Sequence, residues 1–119
     1  MLNGWRNKIV VLAFVPMAFG IASAHASTFL TGNQLLEWCS VTPSDESYYI
    51  KNGSCMAYVM GVADLWTTAW PRTICMPSAV NAKQVADIVT GYLKDKPEGR
   101  HRGADVLVSE ALIEAFRCG

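Results

Sequence analysis

Residues 52–70, with the sequence NGSCMAYVMGVADLWTTAW, are the stretch that most constrains how this chain can fold. Asn52-Gly53 is typical of a turn, and Ser54 is a suitable N-cap for a helix that follows it. The next sixteen residues contain no proline, and apolar side chains occupy nearly all sides of the helix that their spacing predicts. A helix that is apolar all round must be covered by several neighbours or by a second chain.

Two residues inside this predicted helix depart from its apolar character. Gly61 costs about 1 kcal/mol relative to alanine in a helix interior, and its missing side chain lets another backbone approach. Asp64 is the only charged residue of the segment, and a buried carboxylate without a partner is costly. We therefore expect Asp64 to accept hydrogen bonds from a neighbouring backbone or hydroxyl group and to anchor the helix.

Residues 1–26 have the pattern of a cleaved secretory signal peptide. Arg6 and Lys8 supply positive charge, residues 9–21 are mainly apolar, and the segment ends in the small-x-small sequence Ala-His-Ala. A membrane-spanning helix needs roughly 20 apolar residues, and this run is shorter. We therefore expect an exported, periplasmic protein without a stable membrane anchor.

The predicted mature protein is one domain, residues 27–119. It contains ten acidic and eight basic residues, which gives a formal net charge of two negative. Nucleic-acid binding is not indicated, because it requires a basic face. A domain of this size buries only roughly 60–65% of its unfolded surface, so covalent cross-links would help to stabilise it.

All four cysteines lie in the predicted mature region: Cys39, Cys55, Cys75 and Cys118. An even number of cysteines in a small exported domain favours two disulfides. The alternative is a metal site, but zinc ligands usually come as CxxC or HxxxH pairs. Here the cysteines are widely spaced and His101 is the one histidine after the signal peptide. We expect neither a metal nor a cofactor.

Three more helices are predicted around the first. Thr31 and Gln34 match a capping box at the start of a helix over residues 31–40. Asn81 and Gln84 match another before an amphipathic stripe that continues to Tyr92. Residues 104–117 form the last helix. The predicted fold is all-α, a small disulfide-stapled bundle of about four helices.

The ends of these helices select the disulfide pairing. In an up-and-down bundle Cys39 ends the first helix where the second begins, at Cys55. Cys75 lies where the third helix begins, and the antiparallel fourth helix ends there at Cys118. Bridged Cα atoms lie about 4.4–6.8 Å apart. Cys55 and Cys75 lie near opposite ends of the predicted second helix, so linking them would require the chain to return along most of that helix within a few residues.

Two predicted loops are candidate contact surfaces. The first, residues 40–53, is long for a domain of this size, and such loops are often functional; it carries Tyr48 and Tyr49. The second, residues 94–103, is polar and includes Arg100, His101 and Arg102. No nucleophile and base are paired in the sequence and no phosphate-binding loop occurs. A binding or inhibitory module is therefore favoured over an enzyme.

An ordered set of residues runs through the mature chain, beginning with Cys55-x-x-Tyr58-x-x-Gly61-x-x-Asp64 and Ile74-Cys75-x-Pro77. It continues with Gln84-x3-Ile88-Val89-x2-Tyr92-Leu93, Pro97-Glu98-x-Arg100 and Ala104-x2-Leu107-Val108-x2-Ala111-Leu112-x2-Ala115-Phe116-x-Cys118. The set covers about residues 34–118 and resembles the Tai/Rap family of immunity proteins, partners of type VI secretion amidase effectors. Tails in that family often read Phe-Pro-Cys, whereas here Arg117 precedes the last cysteine.

The resemblance implies a periplasmic, helical, disulfide-stabilised and often dimeric protein that blocks a papain-like peptidoglycan amidase. It implies structural roles for the motif residues Tyr58, Gly61, Asp64 and Pro77. Two other classes remain open. A chaperone-like or envelope-stress protein would use an exposed apolar patch, and a small-ligand carrier would need a cavity between helices.

Aromatic side chains are further candidates for contact anchors, because Trp and Tyr are enriched in interface hot spots. At least three of five such residues are nevertheless expected to lie mainly in the core: Trp38, Tyr48, Tyr49, Trp66 and Trp70.

Overall fold

The computed structural model describes residues 28–119, which form four α-helices. They are α1 (Gly32–Cys39), α2 (Tyr48–Ala69), α3 (Ala82–Asp95) and α4 (Ala104–Ala115), with a short 3-10 helix at Pro97–Gly99. Within this part of the chain, β-structure is limited to two isolated bridges. The all-α prediction is confirmed. The predicted signal peptide lies outside the described residues.

The two predicted capping boxes are present and set the first residues of α1 and α3. The Gln34 amide donates to Thr31 Oγ1 at 3.4 Å, and the Thr31 amide donates to Gln34 Oε1 at 2.9 Å. Asn81 and Gln84 make the same reciprocal pair, both bonds at 3.0 Å. Each box satisfies backbone N–H groups that have no partner within the helix.

Helix α2 begins at Tyr48, so the predicted turn at Asn52-Gly53 and the predicted N-cap at Ser54 are wrong. The turn that starts α2 is built by Asp45, whose carboxylate accepts the Ser47 amide at 2.7 Å. Nothing between that turn and residue 54 breaks a helix strongly, since one interior glycine costs only about 1 kcal/mol. The first connection is therefore shorter than predicted and covers residues 40–47.

Helix α2 is the centre of the bundle and packs against α1, α3 and α4. Its buried residues are Cys55, Val59 and Ala63. The largest fully buried side chains come from all four helices: Leu35, Val59, Val89, Leu93, Leu107, Val108 and Leu112. Truncation of such a leucine to alanine typically costs 2–5 kcal/mol, so this core contributes much of the domain's stability.

Both predicted disulfides are present. Cys39 bonds Cys55 with Cα atoms 5.1 Å apart, and Cys75 bonds Cys118 with Cα atoms 4.9 Å apart. The first links the end of α1 to α2. The second holds the chain's last residues beside the α2–α3 connection, where the Cys75 amide also donates to the Phe116 carbonyl at 2.8 Å.

Residues 28–119 leave one face of α2 uncovered, which corrects two expectations. No atom lies within 4 Å of where a Cβ on Gly61 would be, so no other backbone approaches it among the described residues. Asp64 is exposed, and its carboxylate accepts no hydrogen bond from the described part of the chain. The long apolar helix is therefore covered by its neighbours on only part of its circumference.

Candidate partner-binding site

The segment between α3 and α4, residues 96–103, is a compact turn, and we call it the 96–103 loop. Pro97 opens the 3-10 helix, where its missing N–H costs nothing. The Gly99 amide donates to the Lys96 carbonyl at 3.2 Å, and the Arg102 amide donates to the Gly99 carbonyl at 3.0 Å. The predicted polar loop is thus a hydrogen-bonded turn.

Main-chain hydrogen bonds fasten this loop to the start of α1. The Gly32 amide donates to the Arg102 carbonyl at 3.0 Å, and the Asn33 amide donates to the Arg100 carbonyl at 2.9 Å. The Ala104 amide donates to the Leu30 carbonyl at 2.8 Å. The first amides of a helix have no partner within it, so the loop carbonyls satisfy donors that α1 would otherwise leave to water.

Gly32 makes this close approach possible. It is buried, and a Cβ there would lie 2.9 Å from the Arg100 carbonyl oxygen and would also collide with the Leu107 side chain. The space between α1, the loop and α4 is therefore filled, and glycine is the residue that fits.

Charged side chains hold the other side of the loop to α3 and α4. Arg102 donates to both carboxylate oxygens of Glu110, which also accepts the Tyr92 hydroxyl at 2.8 Å. The bonds from Arg102 lower the pKa of Glu110, whereas burial and the same carboxylate raise the pKa of Tyr92. Lys96 pairs with Glu114 at 3.1 Å and lies 4.4 Å from the centre of the Tyr92 ring, and the Glu114 bond raises the pKa of Lys96.

The three arginine and histidine residues predicted in this loop differ in their burial and in their side-chain partners. Arg100 is half-buried, and its Nε atom is buried without a hydrogen-bond partner among the described residues. Arg102 is engaged with Glu110. His101 is exposed at the turn, as are Pro97 and Glu98. Of the three, only His101 is both exposed and without a side-chain hydrogen bond or ion pair among the described residues.

Tyr48 and Tyr49 lie in the first turn of α2 instead of the predicted loop. Tyr48 is half-buried in a cleft beside Cys39 and Val41, while Tyr49 is 87% exposed. Their ring centres are 5.4 Å apart in an edge-to-face arrangement. This pair lies near the Cys39 end of α1 and the 96–103 loop lies at its Thr31 end, so the structure does not bring the two predicted surfaces together.

Other exposed apolar side chains on α2 were missed, because the sequence pattern places them in a helix without showing which side is covered. They are Ile50 at 76% exposure and Leu65 at 57%; the candidate anchor Trp70, which follows the last residue of α2, is 48% exposed. Only Trp38 and Trp66 of the five candidate aromatics pack against the core. The expectation that at least three lie mainly in the core is therefore wrong.

The other motif residues have plain structural positions. Tyr58 packs against the core, and burial raises its pKa. Pro77 is exposed, and its carbonyl accepts the Val80 amide at 3.1 Å in the turn before α3. These contacts are consistent with a supporting role, without bearing on partner contact.

The two best-formed grooves among residues 28–119 are both open to solvent. One groove, of about 350 Å³, lies between α3 and α4, and its lining includes Asp95, Lys96 and Glu114. Over residues 28–119, no cluster of three or more His, Cys, Asp or Glu side chains is placed to hold a metal ion. In the same range, no helix is both long and apolar enough to cross a membrane.

The fold is that of a small all-α domain with two disulfides. The family model of the Rap1a immunity proteins matches residues 31–118. The match spans all four helices and both disulfides, and the chain belongs to the Rap1a immunity protein family. That family is typically exported and in general non-enzymatic, and an immunity role implies binding of a protein effector. No curated protein matches the sequence.

Proposed function

We propose that this immunity protein acts in the periplasm by binding over the active-site cleft of a peptidoglycan amidase delivered by type VI secretion. It does so without chemistry or a cofactor of its own. The family supports the immunity role. The signal-peptide pattern of residues 1–26 and the two disulfides support export to an oxidising compartment.

The observation that carries the proposed mode of binding is the fastening of the 96–103 loop. Main-chain bonds to Gly32 and Asn33 hold one side, and the Arg102–Glu110 pair holds the other. A segment ordered before binding loses less conformational entropy when it binds. The exposed tip, with Glu98 and His101, is an irregular segment, and such a segment can enter a cleft that a smooth helix face cannot enter.

Tyr49 supplies a second candidate contact. Its ring is largely exposed on the first turn of α2 and rests edge-to-face against the half-buried Tyr48. Tyrosine side chains bring large contact area at low entropic cost, and they are enriched in binding hot spots. Because Tyr49 and the loop lie at opposite ends of α1, they would contact separate regions of the amidase.

The test is a titration of the purified protein against the amidase encoded beside it, with peptidoglycan hydrolysis as the readout. We expect complete inhibition by the wild-type protein. Replacing Glu98 and His101 together with alanine should weaken inhibition at least about tenfold, equivalent to 1.4 kcal/mol. Arg117→Ala is the matched control, because it removes an exposed charge beyond the far end of α4.

Two outcomes would separate the function from the site. Full hydrolysis at saturating protein rejects inhibition of that amidase. Inhibition that is unchanged in the loop variant and in Tyr49→Ala keeps the function and moves the contact surface to a helix face.

We also propose a homodimer as the active form, since one face of α2 has no neighbour among the described residues. The alternative function, a chaperone-like envelope protein, would use the same exposed apolar side chains, Tyr49, Ile50, Leu65 and Trp70. Suppression of aggregation of an unfolded client protein, with no effect on the amidase, would favour that alternative.

A further inference from the structure

Phe29 is the most exposed of the large apolar side chains in residues 28–119, with a relative exposure of 105%. It comes two residues before Thr31, the N-cap of α1. Single exposed apolar residues are common on protein surfaces, so the position of this one in the fold decides what it can do.

Both neighbours of Phe29 in the chain are held at the end of the 96–103 loop. Leu30 is buried in the core, and its carbonyl accepts the Ala104 amide at 2.8 Å. On the other side, Thr28 lies against Gly103: a Cβ built on Gly103 would be 2.5 Å from the Thr28 methyl carbon. The backbone of Phe29 is therefore positioned beside the loop by contacts on both sides, while its ring is left in water.

We propose that Phe29 is an apolar anchor for the amidase: its ring enters a nonpolar pocket at the rim of the active-site cleft while the tip of the 96–103 loop enters the cleft. The inference rests on the proposed function and deepens it. It adds a contact residue outside the loop, and it states the chemistry of the partner surface that adjoins the cleft.

The loop and Phe29 supply different parts of a stable interface. The exposed tip residues Glu98 and His101 are polar, and polar groups contribute orientation and specificity more than affinity. Aromatic side chains are enriched in interface cores, where charged ones are depleted. Burial of the Phe29 ring would remove apolar surface from water, and its backbone is already ordered, which lowers the entropic cost of binding.

Lipid is a poorer match for Phe29. A single myristoyl chain gives only marginal membrane attachment, and one phenylalanine ring is smaller than such a chain. The apolar side chains Tyr49 and Ile50 are exposed in the first turn of α2, near the opposite end of α1, so they do not extend the apolar area around Phe29.

A second copy of the chain is also a poorer match. A copy packed on Phe29 would cover the adjoining loop and so prevent the inhibition that the loop is proposed to carry. The amidase is the occupant that lets the exposed ring and the exposed tip be used together.

The first experiment measures affinity for the amidase by isothermal titration calorimetry, with oxidised protein purified after expression of the full chain. Phe29→Ala should weaken binding at least about tenfold, equivalent to about 1.4 kcal/mol. Phe29→Leu should retain most of the affinity, because it keeps an apolar side chain. Leu65→Ala is the matched control: it removes a 57% exposed apolar side chain from α2 and should leave the affinity unchanged.

Stability and loop exchange distinguish direct contact from support of the loop. Because the Phe29 ring is fully exposed, Phe29→Ala should leave the urea midpoint and amide exchange in residues 96–103 unchanged. A lowered midpoint or faster loop exchange that accounts for the weaker binding would mean that Phe29 acts through the fold, and it would overturn the proposal.

The second experiment identifies what Phe29 touches. The photoreactive analogue p-benzoylphenylalanine at position 29 should cross-link to amidase peptides that flank the cleft, with vesicles of phosphatidylethanolamine and phosphatidylglycerol present. The same analogue at position 65 should give no amidase adduct. A cross-link from position 29 to lipid or to a second copy, in place of the amidase, would reject the anchor.

The proposed function and the anchor have separate outcomes. If the wild type binds and inhibits the amidase and Phe29→Ala does so with equal affinity, the anchor is rejected and the function stands. If the wild type does not bind the amidase, the proposed function is rejected, and the anchor is rejected with it.

Discussion

Arg102 forms a two-point ion pair with Glu110, and this contact joins the 96–103 loop to the second turn of α4. Glu110 also accepts the Tyr92 hydroxyl from α3 at 2.8 Å. One carboxylate therefore connects the loop with both helices that it links. Main-chain bonds to α1 complete the fastening from the opposite side.

Replacing Glu110 with glutamine should loosen the loop while leaving the bundle folded. Exposed ion pairs contribute about 0.2–1 kcal/mol, so the loss of stability should stay within about 1 kcal/mol. Amide exchange in residues 96–103 should accelerate more than exchange in α3. Unchanged exchange in the loop would show that the main-chain bonds alone hold it.

The same variant should change the response to acid. Arg102 lowers the pKa of folded Glu110, so the contribution to stability is full above the unfolded value of about 4.3 and is lost as the pH falls through the lowered folded pKa. Urea unfolding of both proteins between neutral and acid pH measures this. The difference between wild type and Glu110→Gln should shrink toward low pH; a constant difference would contradict the linkage.

Gly32→Ala should destabilise the protein by about 1–3 kcal/mol, the usual cost of overpacking. The new methyl group would collide with Leu107 and with the Arg100 carbonyl. Gly91→Ala is the control, because no atom lies within 4 Å of a Cβ there and alanine favours the helix by about 1 kcal/mol. Denaturant midpoints of the two variants should therefore move in opposite directions. Equal stability of Gly32→Ala and wild type would mean that the loop yields without cost.

The two disulfides should differ in their contribution to stability. The Cys39–Cys55 bridge closes a separation of 16 residues and the Cys75–Cys118 bridge one of 43. The chain-entropy relation gives about 3 and about 4 kcal/mol. Replacing each pair with serine and measuring urea unfolding should show the larger loss for Cys75 and Cys118. The opposite order would indicate that native contacts outweigh loop entropy.

Asn81→Ala should cost about 1 kcal/mol, because the side chain accepts the Gln84 amide at the start of α3. Ser78→Ala, in the exposed turn before α3, serves as the control and should be nearly neutral. Thermal unfolding monitored by circular dichroism measures both. A neutral effect of Asn81→Ala would show that water replaces the cap without loss.

The parts of the fold that were predicted correctly are those that depend on side chains close together in the sequence or on the positions of helix ends. The capping boxes at Thr31 and Asn81 depend on residues three apart, and the cysteine pairing follows from where helices end. The start of α2 was missed because Asn52-Gly53 is a strong turn signal. Packing of α2 against three helices and the bridge to Cys39 outweigh that local preference.

The candidate site was predicted as a segment but not as a structure. The composition of residues 94–103 indicates an exposed loop. The loop is attached to Gly32 and Asn33 through backbone atoms, and such hydrogen bonds cannot be predicted from the residue types. The Arg102–Glu110 pair joins a loop to a helix, so the spacing rules for ion pairs within one helix do not predict it. Which side of α2 is uncovered depends on how the other helices are placed. The contacts of Arg100 and Arg102 also depend on the placement of the helices.

The 96–103 loop separates the groups that hold it from the groups that it displays. Backbone carbonyls, Gly32 and the Arg102–Glu110 pair fix its path, while Glu98 and His101 are exposed and their side chains take no part in those contacts. Substitution at the two displayed positions should leave the free energy of unfolding nearly unchanged. Under the proposed mode of binding, lineages that face different effectors can diverge at the tip while the same frame is inherited, so recognition is able to evolve independently of folding.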